Sequence, residues 1–134
     1  MTEAKGGCLC GSVTFKAKFD DLTVNTCHCS QCRRWSGHQW ASVDVNISAM
    51  EIADDAGALA WFRSSDYARR GFCKLCGSSL FWHADKLDGH KDTIAIAAGT
   101  VTEPSQLTLT SHIFTDDQGD YYDIADGLPQ KKQY

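Results

Sequence analysis

Apolar and polar residues alternate along short stretches of the chain, and turn-forming residues separate these stretches. The alternation is clearest over residues 12–19, where every second residue is apolar. A strand with this pattern buries one face and exposes the other, so the segment is predicted to be a β-strand. The same reasoning predicts strands at residues 40–45, 46–52, 59–63, 79–82, 93–97 and 107–114. Only residues 30–35 favour a short helix, so the fold class is predicted to be mainly β, with short strands.

The length of the chain is that of one ordinary domain. It has 134 residues, of which 43% are hydrophobic, and a chain of this size can bury a substantial core. No internal repeat and no linker rich in Pro, Gly or Ser interrupts it. We therefore expect a single domain spanning residues 1–134. Residues 120–134 are expected to pack across that domain, with residues 131–134 frayed.

Charge and hydropathy exclude some partners. The formal net charge is −4 and the sequence pI is near 5.6, whereas proteins that bind nucleic acids usually present a basic face. No window approaches the ~20 apolar residues of a membrane span, and the first residues do not resemble a signal peptide. The sequence predicts a cytoplasmic protein that binds neither nucleic acid nor membrane.

The seven cysteines suggest metal binding. Disulfides are rare in the cytoplasm, and an odd count leaves one thiol unpaired in any scheme of disulfides alone. Thiolates are good ligands for zinc, a borderline-soft cation that accepts tetrahedral coordination. The cysteines form three groups, which are Cys8 and Cys10; Cys27, Cys29 and Cys32; and Cys73 and Cys76.

The first and third groups each supply two thiols and are each followed by a glycine, Gly11 or Gly77. Glycine permits the positive φ that a tight metal-binding turn requires. We therefore predict that these two pairs close one four-thiolate structural zinc site. The alternative is that the cysteines are small buried hydrophobic residues. A thioredoxin-like redox motif is disfavoured, because no βαβ pattern surrounds the third group.

The second group differs, because it places three cysteines within six residues and no glycine follows it. Three thiolates on one loop can bind one zinc and leave its fourth position for water or substrate, as in catalytic zinc sites. The alternative is that His28 or His38 supplies a fourth ligand and closes a second structural site.

Basic residues adjoin two of the cysteine groups. Arg33 and Arg34 follow Cys32 directly, and they would favour an anionic thiol near the second group. Arg69 and Arg70 precede the third group and could lie beside the same cleft as the second group. The alternative for each pair is an ordinary solvent-exposed position on the surface.

Four segments together resemble a known family. They are GGCLCGSV at residues 6–13, CHCSQCRRWSG at 27–37, RGFCKLCGSSL at 70–80, and YDIADGLP at 122–129. In this order and spacing they resemble the glutathione-dependent formaldehyde-activating enzymes, a family that includes relatives of centromere protein V. The resemblance implies a β-tent fold of antiparallel strands around a structural zinc held by Cys8, Cys10, Cys73 and Cys76. It also implies a second, active-site zinc on Cys27, Cys29 and Cys32.

The named activity of that family joins glutathione to formaldehyde and gives S-(hydroxymethyl)glutathione, formally a carbon–sulfur lyase reaction. The resemblance thus implies an enzyme with two zinc ions, a thiol substrate such as glutathione, and a small aldehyde. We expect Cys27, Cys29 and Cys32 to be catalytic, and Arg33 and Arg34 to receive substrate carboxylates.

No general acid stands out in the sequence, so His28, His38 and His112 are candidates. Two alternatives need the same cysteines. One is a thiol carrier that does not catalyse, and the other is an interaction domain with two structural zinc ions.

Overall fold

Ten short β-strands dominate the computed structural model, which describes all 134 residues. The prediction of a mainly β fold is confirmed. The only α-helix has seven residues, and no helix has the length and apolar character needed to cross a membrane. The elements are β1 (Thr2–Gly7), β2 (Thr14–Phe19), β3 (Thr23–Cys27), α1 (Ser30–Ser36), β4 (Trp40–Asn46), β5 (Met50–Ala53), β6 (Leu59–Arg63), β7 (Arg69–Cys73), β8 (Ser79–His83), β9 (Thr93–Ala97) and β10 (Thr108–Ile113).

The strands form two sheets. The smaller sheet has the order β1-β2-β5 and is antiparallel throughout. The larger sheet has the order β10-β3-β4-β9-β8-β7-β6, and only its edge pair β10–β3 is parallel. Neighbours along the sequence are therefore often neighbours in a sheet, as expected for short strands joined by tight turns.

The main hydrophobic core lies between the two sheets. The apolar residues of β2 are buried, and they pack with alternate residues of β4 and β9 from the larger sheet. Phe15 of β2 meets Phe81 of β8 edge to face, with ring centroids 5.7 Å apart. Because side chains alternate across a strand, the intervening residues of the larger sheet face the opposite side, where the candidate site lies.

Some elements differ from the prediction, for identifiable reasons. The single strand expected at residues 46–52 is divided by a 3-10 turn at Ile47–Ala49, in which the Asn46 side chain accepts a hydrogen bond from the Ser48 amide. The chain there leaves the larger sheet and enters the smaller one as β5. Strands β1, β3 and β7 were not predicted. Strand β7 contains two arginines and a glycine, so its polar composition hides its role in the sheet.

The C-terminal tail is attached to β10 by backbone hydrogen bonds. The amide of Lys131 donates to the carbonyl of His112 at 2.9 Å, and the amide of Phe114 donates to the carbonyl of Gln133 at 3.3 Å. The expectation that residues 131–134 fray is wrong for these positions, because unpaired groups at the edge of β10 provide partners for the tail.

Candidate metal centres and active-site cavity

Four cysteines from two distant loops meet at one point. The sulfur atoms of Cys8, Cys10, Cys73 and Cys76 all lie within 4.8 Å of one another. The Cys8 and Cys10 sulfurs are 3.6 Å apart, and those of Cys10 and Cys73 are 3.8 Å apart. Zinc held by four thiolates at about 2.3 Å in a tetrahedron requires sulfurs about 3.8 Å apart. This cluster, called the four-cysteine centre below, therefore fits a closed zinc site.

The turns that carry these cysteines have the conformation expected from the sequence. Gly11 has φ 81° and Gly77 has φ 80°. A Cβ atom would meet no other atom within 4 Å at either position, so the backbone angle and not the available space favours glycine. The amide of Val13 donates to the Cys8 sulfur at 3.3 Å. The two loops are also joined directly, since the amide of Leu9 donates to the Ser78 hydroxyl at 2.9 Å.

The second group forms a separate cluster of three sulfurs. Those of Cys27, Cys29 and Cys32 lie within 4.8 Å of one another. Cys27 ends β3, Cys29 caps the N-terminus of α1, and Cys32 lies in its first turn. The Cys29 sulfur accepts a hydrogen bond from the Cys32 amide at 3.4 Å. This three-cysteine cluster has the donors for one zinc ion and leaves a fourth tetrahedral position without a protein ligand.

Neither histidine considered as a fourth ligand joins the cluster. Both ring nitrogens of the buried His28 are occupied, by the Tyr122 hydroxyl at 2.7 Å and by His112 Nδ1 at 2.8 Å. His38 is exposed, and its ring nitrogens contact the Tyr121 hydroxyl at 2.6 Å and the Gln39 amide nitrogen at 3.3 Å. The geometry thus disfavours closure of the second centre by histidine.

His28 belongs to a line of hydrogen bonds that ties the tail to the cysteine loop. His112 Nε2 lies 2.7 Å from an Asp126 carboxylate oxygen. One arrangement of protons satisfies every member: the Tyr122 hydroxyl donates to His28, His28 donates to His112, and His112 donates to Asp126. Burial, with a smaller contribution from His112, lowers the pKa of His28. The imidazoles of His28 and His112 are neutral in this arrangement, which agrees with the lowered pKa of His28.

A cavity of about 360 Å³ opens beside the three-cysteine cluster. Its floor is the face of the larger sheet opposite the core, and its walls come from α1 and from loops near both ends of the sheet. All three cysteines line it. The other lining residues are Asn25, Ser30, Gln31, Trp40, Ser42, Asp44, Ser65, Tyr67, Arg70, Trp82, His90, Thr93, Ala95, Ile113, Phe114, Asp117 and Tyr134.

Arg70 is the cation closest to the three-cysteine cluster. Its side chain is only 4% exposed. One guanidinium nitrogen lies 3.6 Å from the Cys32 sulfur, and another donates to the Gln31 side-chain oxygen at 3.3 Å. A buried cation requires compensating negative charge, which a thiolate of the three-cysteine cluster would supply. The sequence placed Arg70 only as a possible neighbour, because the register of β7 against β8 decides which arginine faces the cavity.

Arg33 and Arg34, expected to receive substrate carboxylates, do not line the cavity. The Arg33 guanidinium donates to the backbone carbonyls of His28 at 3.2 Å and Asp117 at 3.1 Å. It therefore fastens α1 to the adjoining loops. Arg34 is exposed on the helix. The histidines considered as general acids, His28, His38 and His112, do not line the cavity either, whereas Tyr67 and His90 do.

The hydrogen bonds within the cluster favour one thiolate before any metal binds. The pKa of Cys29 is lowered because the thiols of Cys27 and Cys32 donate to its sulfur, with help from the Cys32 amide and the charge of Arg70. The pKa of Cys27 is raised, chiefly because its proton is shared with Cys29. The loop is therefore suited to bind a cation.

Comparison with known sequences agrees with this geometry. The family model described as glutathione-dependent formaldehyde-activating enzyme matches residues 3–117, a range that includes every cysteine of both clusters. The chain belongs to this family. The matched range also contains the arginine beside the second cluster and most residues of the cavity.

Two individual proteins are also similar to the chain. A protein of Schizosaccharomyces pombe, described as an uncharacterized lyase, is 27% identical over 125 residues, which are 93% of this chain and 88% of the relative. A crystal structure of a Rhodobacter sphaeroides protein has a TM-score of 0.61 and 18% identity, and covers 94% of this chain and 98% of that one. At that identity the structural likeness concerns the fold alone.

Proposed function

We propose that the protein is a zinc-dependent carbon–sulfur lyase-type enzyme that joins a thiol such as glutathione to a small aldehyde such as formaldehyde. The observation that carries the proposal is a cluster of three cysteines open to a cavity, with the buried Arg70 beside it. A closed structural site would need neither the cavity nor an unfilled ligand position. Membership of the family and the lyase description of the yeast relative support the same class of reaction.

The two centres would have different tasks. The four-cysteine centre joins the β1–β2 and β7–β8 loops, so a zinc ion there would stabilise the fold. Cys27, Cys29 and Cys32 would hold the second zinc, which when bound supplies positive charge that keeps a substrate thiol ionised. Arg70 adds a fixed positive charge near the cluster, so the protein itself favours an anionic sulfur in this part of the cavity.

The bond changes are simple. The sulfur of the thiol loses its proton and forms a bond to the carbonyl carbon of the aldehyde. The π electrons of the carbonyl move to oxygen, which takes up a proton, so the product is an S-(1-hydroxyalkyl) thiol adduct. In reverse, the carbon–sulfur bond breaks. Tyr67 and His90 line the cavity and carry protons that could exchange with the substrate or with water.

A thiol carrier would bind the same substrate without accelerating the reaction, and an interaction domain would bind no thiol at all. The zinc-loaded protein should therefore be studied by native mass spectrometry with and without glutathione. The rate of adduct formation from glutathione and formaldehyde should be measured in parallel against buffer. The proposal predicts two zinc ions, one glutathione adduct and a rate above that of buffer.

Two variants sharpen the test. Cys29→Ser should lose the second zinc and the glutathione adduct while the protein remains folded. Arg34→Ala changes an exposed residue on the same helix and outside the cavity, so it should bind glutathione like the wild type. A bound glutathione with no rate above buffer would favour a carrier. Two retained zinc ions without any thiol adduct would favour an interaction domain.

A further inference from the structure

One carboxylate on the cavity floor has no partner. Trp40, Ser42 and Asp44 line the cavity from one face of β4, while Val43 and Val45 of the same strand are buried in the core. The carboxylate of Asp44 takes part in none of the protein's ion pairs and in no side-chain hydrogen bond. It is accessible from the cavity, so a ligand can reach it.

Asp44 is exposed, and no cation of the protein forms an ion pair with it. Partial loss of hydration raises the pKa of Asp44, and the neighbouring carboxylate of Asp21 raises it further. The cation that lines the cavity, Arg70, is already engaged by Cys32 and Gln31. A positively charged group of a ligand would relieve this repulsion, because opposite charges attract most strongly where water is partly excluded.

The register of the sheet fixes how far Asp44 lies from the three-cysteine cluster. Cys27 pairs with Trp40, and Asn25 pairs with Ser42. Asp44 is four residues beyond Trp40 on β4, about 13 Å along the strand. Asn25 and Ser42 line the cavity between them and offer polar groups there. After allowance for the protein side chains at both ends, about 10 Å remains for a ligand to span.

We propose that Asp44 binds the ammonium group of the thiol substrate, so that the cavity selects extended, peptide-like thiols whose amino group lies about 10 Å from the sulfur. The inference rests on the proposed function, in which the thiol sulfur lies beside the three-cysteine cluster. Glutathione belongs to this class, because its γ-linked glutamyl residue places the amino group beyond a glutamyl side chain from the cysteine. A small neutral thiol would reach the cluster but not Asp44.

Binding measurements on the zinc-loaded protein can separate the inference from the proposed function. Three thiols would be titrated by calorimetry: glutathione, glutathione acetylated on its amino group, and 2-mercaptoethanol. The wild type should bind glutathione about 10-fold or more tightly than the acetylated form, since a hydrogen bond to a charged group contributes at least this much. Asp44→Asn should lose this preference by weakening glutathione alone.

Asp21→Asn is the matched control. It removes the carboxylate next to Asp44, but Asp21 does not line the cavity, and its side chain accepts from the Thr23 amide. Asparagine preserves that acceptor. Asp21→Asn should therefore retain the preference for glutathione. Melting temperatures and zinc content would establish that both variants are folded and loaded.

Each outcome has a defined meaning. If the wild type binds both forms of glutathione equally, the inference is overturned while binding of 2-mercaptoethanol still supports the proposed function. Equal weakening of both forms by Asp44→Asn would also overturn it, because the loss would not depend on the ammonium group. If no thiol binds to any variant, the proposed function fails and the inference with it.

Discussion

Cys10 offers the sharpest test of the four-cysteine centre, because its side chain is exposed. Its three partners are buried or half-buried, so replacing them would also remove core packing. Cys10→Ala creates no cavity in the core. If Cys10 were only a surface residue, the free energy of unfolding would change by about 0.5 kcal/mol or less.

As a zinc ligand, Cys10 should contribute far more. Structural zinc contributes about 10–16 kcal/mol to the folding of small domains. An equal division among four ligands assigns about 2.5–4 kcal/mol to each. For 134 residues, the entropy of unfolding is about 0.28 kcal/mol/K. Cys10→Ala should therefore lower the melting temperature by about 9–14 °C.

The assay compares melting followed by circular dichroism for the zinc-loaded wild type, Cys10→Ala and Leu9→Ala. Leu9 is 89% exposed in the same loop, so its replacement controls for changes in the loop surface. Leu9→Ala should melt within about 2 °C of the wild type, and a chelator should abolish most of the difference between the two variants. The reasoning is refuted if Cys10→Ala has the same melting temperature as Leu9→Ala and retains two zinc ions.

Two further predictions concern stability. Tyr122→Phe should lower the free energy of unfolding by about 1–3 kcal/mol, because it leaves a nitrogen of the buried His28 without a partner. Tyr121→Phe changes an exposed hydroxyl and should cost less than about 0.5 kcal/mol by urea unfolding. Equal effects of the two variants would count against the line of hydrogen bonds through His28. Arg63 forms two 2.7 Å hydrogen bonds to Asp85 and lowers the pKa of that carboxyl to about 2. The stabilisation by this ion pair is therefore complete above the pKa of about 4 that Asp85 has in the unfolded chain, and it is lost as the pH falls toward 2. Urea unfolding should show that Asp85→Asn costs on the order of 1 kcal/mol, equally at pH 7 and pH 5; a cost that already declines between these values would contradict the attribution.

The cysteine chemistry could be derived from the sequence because the ligands are encoded locally. Two cysteines in one tight turn, followed by a glycine, already require a particular backbone geometry, and Gly11 and Gly77 adopt it. The division into groups of four and three followed from the same spacing, and the structure brings together these sets. That zinc fills both clusters stays a prediction.

The charged side chains that line the cavity could not be derived in this way. Arg33 and Arg34 adjoin the cysteines in sequence, but a short helix directs them away from the cavity toward backbone carbonyls and solvent. Arg70 is 38 residues from Cys32 along the chain, and it reaches the cluster through the pairing of distant strands. In the sequence, nothing distinguished Asp44 from the other polar residues of the alternating strands.

The sequence by itself therefore determined the mainly β fold, the two cysteine clusters and the family, because alternation, turns and cysteine spacing are short-range properties. Only the tertiary structure decided which charged side chains face the second cluster and that both nitrogens of His28 are occupied. Those contacts depend on strand order and register across the larger sheet, where a shift of one residue would turn every side chain to the opposite face.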